Sequence, residues 1–417
     1  MKVLWITNIL FPEAIDILTG KGELKSTGGW LIGASQALLK NKDVHLCVAT
    51  VSDLVSKITK LEGERISYYI LPLGRGNTKF NDEYLPLWKH IQKEYNPDIV
   101  HIHGTEFSHG NAYLKACGNR NVVVSIQGLV SGIAPFYRAG LSKVDILKNI
   151  TFRDCILGTI LRDQTRFYQR GEIEIDTIVN SKYIIGRTSW DYAKTWAINP
   201  KIKYFFCNET LRSDFYDGSV WEYDKCVPHS IFLSQGGYPL KGLHQVLKAM
   251  PFILRQYPDT IIRIAGLDIT KNHSFSEIIR FSGYGLYIKR LISKLRLVDH
   301  VTFTGNLSAE DMKKEYLRSN VFICPSAIEN SPNSLGEAQI LGVPCIASFV
   351  GGVPDMMDGN HYLYRFEEFE MLAKLVCDVF AEKNKYKGVR DIAYQRHNPI
   401  ENSKQLYGIY TDILHML

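Results

Sequence analysis

Residues 321–344 read VFICPSAIENSPNSLGEAQILGVP, and this stretch decides the fold. Val321–Cys324 is a short apolar run that reads as a buried strand. Ser331 is a good N-cap and Pro332 a good first helical residue, so a helix is expected to open there. Gly342 suits the position just past its end, and Pro344 prevents continuation. A helix opening at the carboxyl end of a strand is the unit of a doubly wound sheet, and such sheets bind ligands at those ends. The free N–H groups near Asn333, Ser334 and Leu335 then form an anion site, to which the helix dipole adds. Glu329 sits on the loop just before that site, and Glu337 lies eight residues later within the helix. A carboxylate accepts hydrogen bonds from two neighbouring hydroxyls, as on a ribose. A solvated surface glutamate is the plain alternative for each.

Working outward, apolar runs rich in β-branched residues recur along the chain. Strands are expected at 2–7, 44–50, 66–71, 98–102, 122–126 and 178–185, then at 229–234, 260–265, 300–304, 320–324 and 343–348. Helical spacing separates them: Leu243, Val246, Leu247 and Met250 fall at i, i+3, i+4 and i+7, and Leu31, Ala34 and Leu38 behave alike. Alternating strand and helix implies an α/β protein with parallel sheets covered on both faces. Two such series in tandem imply two doubly wound domains, expected at 1–215 and 216–400. The polar stretch Asn208 to Lys225 marks the boundary. A last helix at about 401–417 has an apolar face of Leu406, Ile409, Tyr410 and Ile413, and it suits closure of either domain.

The chain has 417 residues, of which 45% are hydrophobic and 22% charged, values of an ordinary globular protein. No stretch approaches the roughly 18 consecutive apolar residues of a membrane span. The opening MKVLWIT is too short for a signal-peptide core, so a cytoplasmic location is expected. The net charge of +6 is mild for this length. It speaks against a nucleic-acid binder and fits an anionic small ligand or an anionic membrane surface. The eight cysteines are scattered without a CxxC pair, as reduced buried thiols would be.

Residues 325–344 resemble the E-x7-E motif of the retaining glycosyltransferases of family 4, which have the GT-B fold. Pro332-Asn333-Ser334 matches the family's helix start between the two glutamates. Gly351-Gly352-Val353-Pro354 matches its Gly-Gly-Val-Pro, with Asp355 where Glu is usual. The resemblance implies two Rossmann-like domains facing across a cleft. By it, Glu329 contacts the donor sugar, Glu337 the nucleotide ribose, and residues 333–335 the diphosphate. Gly28-Gly29, after the first strand, resembles the glycine loop where donor and acceptor meet, although a plain turn is also open. Asp98 to His103 resembles the strand ending in a histidine that contacts the donor sugar. Gly305-Asn306 resembles the loop that packs against the base. Lys241 matches the phosphate-binding lysine, whose charge offsets that of the leaving diphosphate.

The chain also departs from the family. Gly236 stands where an arginine is usual, five residues before Lys241. Gln127-Gly128 replaces His-Gly, and Asn208-Glu209-Thr210 replaces an Asn-Gly turn. From Phe136 to Arg170 there are seven Lys or Arg against three Asp, interleaved with apolar residues. That stretch suits an anionic membrane or a lipid-diphosphate acceptor, with ordinary amphipathic helices packed on the N-terminal sheet as the alternative. Gln127, Arg138 and Arg187 are candidate acceptor contacts. Arg187 is also a candidate for the absent phosphate cation or for a structural Arg–Asp pair.

The resemblance implies transfer of a sugar, with retention, from a UDP- or GDP-linked donor to a hydroxyl of a glycan or lipid-linked acceptor, in cell-surface polysaccharide synthesis. No cofactor is expected. No Asp-x-Asp occurs, so Lys241 and helix N–H groups, rather than a metal, are expected to neutralise the diphosphate. Peripheral contact with the inner face of a membrane through 136–170 is part of this expectation. A nucleotide-sugar 2-epimerase of the same fold and an inactive nucleotide-binding module are the alternatives.

Overall fold

The computed structural model describes residues 1–20, 29–74, 80–272, 274–357, 362–382 and 389–417. The buried apolar runs form two sheets, as their lengths and β-branched content dictate. The first sheet comprises β1 (Lys2–Ile6), β2 (His45–Ser52), β3 (Thr59–Glu62), β4 (Ile66–Pro72), β5 (Ile99–His103), β6 (Val122–Ser125), β7 (Tyr183–Gly186) and β8 (Lys203–Phe206). Its order is β3-β4-β2-β1-β5-β6-β7-β8. All pairings are parallel except that of β3 with β4, on one edge. The second sheet comprises β9 (Val227–Leu233), β10 (Ile261–Ile264), β11 (Val301–Phe303), β12 (Ser319–Cys324), β13 (Cys345–Ser348) and β14 (Leu363–Tyr364). Its order is β11-β10-β9-β12-β13-β14, parallel throughout. Strand order reverses between β1 and β5 in the first sheet and between β9 and β12 in the second. Those are the switch points at which open α/β sheets take ligands.

The sheets belong to two compact units. One contains Met1–Gly132, Arg166–Leu211 and His397–Leu417; the other contains Ile133–Thr165 and Arg212–Arg396. The chain therefore divides at more places than the single cut expected at 215. Residues 133–165 group with the C-terminal unit and not with the N-terminal sheet. Leu141 and Ile146 enter the same core as Ile231, Leu243 and Ile264. His244 Nε2 meets Ala139 O at 2.9 Å, and Arg290 donates to Lys148 O at 2.8 Å. Amphipathic spacing reveals that a helix has an apolar face but not which sheet will cover it.

The last helix, Pro399–His415, returns to the N-terminal unit. Ile409, Tyr410 and Ile413 share a core with Trp5, Leu31 and Val48. Trp5 Nε1 donates to Tyr410 Oη at 2.9 Å, and that oxygen lies 2.6 Å from His101 Nδ1. The other nitrogen of His101 is hydrogen-bonded to Ser125. One buried hydroxyl thus joins the last helix to β1 and β5.

Other differences from the sequence reading are local. The strand expected at 178–185 begins at Tyr183, because Ile178 and Val179 finish the helix Ile160–Val179. The short strands β3, β8 and β14 have weak patterns and were not foreseen. Replacing Tyr410 with Phe leaves two buried polar partners unpaired. Chemical denaturation is expected to show a loss of about 1–3 kcal/mol.

Candidate active site

Two loops leave the second sheet beside its switch point, one after β9 and one after β12. Lys241 closes the short 3-10 turn Pro239–Lys241 in the first. Glu329 stands in the second. Lys241 Nζ lies 2.5 Å from Glu329 Oε1, and Ser326 Oγ donates to the same oxygen at 2.9 Å. Both charged side chains are mostly buried. Burial alone would lower the lysine pKa. The Glu329 carboxylate outweighs it and holds the ammonium above its ordinary range, so Lys241 is a cation at any physiological pH.

Two glycines let the loop after β12 meet its neighbours, Gly242 on the loop after β9 and Gly351 on the loop after β13. Gly242 has φ +70°, and a β-carbon there would stand 1.7 Å from Pro325 O. Gly351 has φ +52°, and a β-carbon there would stand 2.0 Å from Glu329 O. Both are left-handed positions that also lack room for a side chain. Two hydrogen bonds finish the joint: Ala327 N–H to Leu240 O at 2.8 Å, and Gly352 N–H to Glu329 O at 3.0 Å.

The helix after Glu329 spans Asn333–Ile340 with Pro332 at its N-cap, one residue later than the sequence suggested. Ser331 does not cap it, and its hydroxyl faces Met356 Sδ at 3.6 Å. Leu335 leaves the set of free donors: its N–H goes to Pro332 O at 3.0 Å, and its side chain is in the core. Asn333 and Ser334 keep amides that the first turn cannot satisfy. Glu337 is buried and takes a two-pronged contact from Arg212, 2.8 Å from Nε and 2.8 Å from a terminal nitrogen. Burial raises its pKa, and Arg212 offsets part of that rise. Arg212 was missed in the sequence because it sits in the polar stretch read as a boundary.

At Gly236 a β-carbon would press within 2.9 Å of Leu243 and 3.1 Å of Ile264. The backbone has closed on apolar side chains where the family carries an arginine. Gly305 has φ +80° and is bonded both ways to Gly266, at 2.9 and 3.1 Å. It lines a cavity of about 520 Å3 with Gly237, Leu267 and Phe303. Asn306 is exposed beside it. Among the described residues, no group of three His, Cys, Asp or Glu side chains has the makings of a metal site.

In the N-terminal unit His103 ends β5 at the switch point. It is buried, and neither ring nitrogen has a hydrogen-bond partner. Its ring centroid is 3.8 Å from that of His101 and 4.6 Å from that of Trp5. Burial, then the neighbouring His101, push its pKa well below the ordinary value, so the ring is neutral. It faces a small cavity of about 60 Å3, lined also by Trp30, Arg187 and Glu209. Gly28 lies outside the described residues. Gly29 begins the helix Gly29–Leu38. Arg187 is buried and engaged: it pairs with Glu209 and donates to Ile126 O at 2.6 Å and Gln127 O at 2.9 Å. Its carboxylate partner is thus Glu209. Asp191 instead takes the Arg187 backbone N–H, at 3.0 Å. The side-chain nitrogen of Gln127 is buried without a partner. Arg138 lies in the other unit, in segment 133–165.

Glu106, three residues past His103, was not foreseen. Arg170 donates to its Oε1 at 3.1 Å, and its Oε2 is buried without a partner. Burial first, and then the carboxylate of Glu174, push its pKa up to about 7. A carboxyl raised in this way favours the folded state while protonated, and that contribution fades as pH rises from about 5 through 7. Glu106→Gln is therefore expected to be more stable than the wild type at pH 8, by about 3 kcal/mol, with most of the gap closed by pH 5. Thermal unfolding across pH checks this; a gap that does not change with pH contradicts it.

Known proteins resemble the chain over these same elements. Residues 229–396 match the family glycosyl transferases group 1. A GDP-mannose-dependent alpha-(1-6)-phosphatidylinositol monomannoside mannosyltransferase of Mycolicibacterium smegmatis is 29% identical over 130 residues, 29% of this chain and 30% of that one. The curated relatives that match do so over well under half of their length. Sucrose-phosphate synthase of Thermosynechococcus elongatus superposes over 100% of both chains with a TM-score of 0.69 at 16% identity. The Anabaena protein HepE in complex with UDP covers 99% of this chain and 100% of its own, with a TM-score of 0.60 at 15% identity. Residues 229–396 are therefore similar to the glycosyl transferases group 1 family, and the chain that contains them has the GT-B fold.

Proposed function

We propose that the protein is a retaining glycosyltransferase that moves a sugar from a UDP- or GDP-linked donor to a hydroxyl of a glycan or lipid-linked acceptor, in the synthesis of a cell-surface polysaccharide. The observation that carries this reading is the buried Lys241–Glu329 pair at a sheet switch point, seated on Gly242 and Gly351. An ammonium has three donors. One can stay on Glu329 while the others take phosphate oxygens. Lys241 then offsets the charge that grows on the diphosphate as the sugar–phosphate bond breaks, and the amides of Asn333 and Ser334 add to it.

In retention by front-face attack, the acceptor oxygen bonds to the anomeric carbon on the face the diphosphate leaves. The acceptor proton passes to the departing phosphate oxygen. No protein nucleophile is needed. Glu329 orients the donor sugar, and Glu337, aimed by Arg212, takes the ribose hydroxyls. His103, neutral and without a protein partner, offers one donor and one acceptor to a sugar hydroxyl. Metal independence follows from Lys241 and the helix amides carrying the phosphate charge. The UDP held by HepE and the GDP-mannose dependence in the name of the mycobacterial relative support a nucleotide-sugar donor.

A lipid-linked acceptor fits the exposed face of the helices Lys143–Lys148 and Phe152–Leu157. Leu147, Phe152 and Ile156 are 60%, 64% and 60% exposed, with Lys143, Lys148 and Arg153 among them. Apolar side chains flanked by cations suit the inner face of an anionic membrane. No described helix is long and apolar enough to cross one.

Thermal unfolding with UDP, GDP and their sugars tests the donor reading: one diphosphate is expected to raise the midpoint. Lys241→Ala and Glu329→Ala are each expected to lower turnover more than tenfold while the fold survives. Near-normal turnover in either refutes its role. Pelleting with phosphatidylglycerol vesicles at low salt is expected, and loss of pelleting is expected on reversing Lys143, Lys148 and Arg153. Failure of the wild type to pellet refutes the membrane contact.

A further inference from the structure

Within the C-terminal unit, residues 135–142, the loop after β13 and the loop after β14 line a cavity of about 690 Å3. It adjoins the Glu329 loop. Ala327 lines it two residues before Glu329, and Val350 lines it one residue before Gly351. Arg138 and Arg365 both line it, and neither side chain has a hydrogen-bond or ion-pair partner among the described residues. Elsewhere in this unit Arg212, Arg263 and Arg290 are engaged with Glu337, Glu315 and Asn149. The exposed rings of Phe136 and Phe349 flank the arginines, and Glu367 adds an exposed carboxylate to the rim.

The cavity is built on fixed backbone. Ala139 and Gly140 take left-handed conformations, φ +49° and +77°, and the Ala139 carbonyl is held by His244. The Phe366 ring lies 6.0 Å from that of His244, and it backs the Gly242 turn beside Lys241. Two unpaired guanidiniums supply the charge that a phosphate dianion needs, each with a fork of N–H donors suited to phosphate oxygens, and aromatic rings lining the same cavity suit hydrocarbon.

We infer that this cavity binds a phosphate or diphosphate carried on an apolar chain, with Arg138 and Arg365 on the phosphate oxygens and Phe136 and Phe349 against the adjacent carbons. This rests on the glycosyltransferase reading of the Glu329 loop, for which it supplies the acceptor's phosphate site. It gives Arg138 a partner, Arg365, that the sequence did not suggest.

Calorimetric titration of the full chain with octyl phosphate, octanol, inorganic phosphate and UDP or GDP tests the inference. Octyl phosphate is expected to bind at least tenfold more tightly than octanol or inorganic phosphate. Arg138→Gln combined with Arg365→Gln is expected to weaken it at least tenfold, and Phe349→Ala at least threefold. Nucleotide binding, which also reports a folded unit, is expected to stay within twofold. Undiminished octyl phosphate binding by the double variant overturns the inference. So does loss of nucleotide binding in the folded double variant, which would assign the arginines to the donor diphosphate. Inorganic phosphate binding as tightly as octyl phosphate overturns the apolar carrier. Arginine-dependent octyl phosphate binding by a wild type that takes no nucleotide upholds the cavity and refutes the proposed donor site.

Discussion

The contact on which the candidate active site depends is the ion pair between Lys241 and Glu329. A mostly buried ammonium is costly unless a carboxylate and further hydrogen bonds compensate it. Glu329 does so through one oxygen, which Ser326 also reaches. The Glu329 loop approaches the Lys241 loop to backbone contact at Gly242, and the loop after β13 approaches its other side at Gly351. A β-carbon at either would overlap a carbonyl oxygen. The glycines, the cation and the carboxylate are thus one device, and the helix at Asn333 opens only four residues after Glu329.

A second constraint shapes the C-terminal unit. Residues 133–165 are held there by Leu141 and Ile146 in its core and by His244 and Arg290 on their backbone. This brings Arg138 to the cavity beside the Glu329 loop and sets the apolar faces of two short helices toward solvent. In the N-terminal unit the corresponding tension is polar. His103, Glu106 and Gln127 each keep a buried atom without a partner at the ends of β5 and β6. Buried polar atoms are ordinarily satisfied, and these three are not. The structure satisfies Arg187 instead, through Glu209 and two carbonyls.

The sequence by itself determined the two doubly wound sheets, because apolar runs separated by helical spacing leave few other solutions. It also determined that a helix opens just after Glu329, through the local preferences of Pro332 and Gly342, though with its cap placed one residue early at Ser331, and it placed Glu329 and Glu337 on one loop and helix. Those signals are local, spanning fewer than about 20 residues. What only the tertiary structure decided is long-range. Arg212 reaches Glu337 across 125 positions, Lys241 reaches Glu329 across 88, and Tyr410 returns to Trp5 across 405. The placement of 133–165 is of the same kind, since an amphipathic helix carries no address for the sheet it will cover. The burial that shifts Glu106 and neutralises His103 likewise has no local signature, because desolvation is a property of everything packed around a group rather than of its neighbours in the chain.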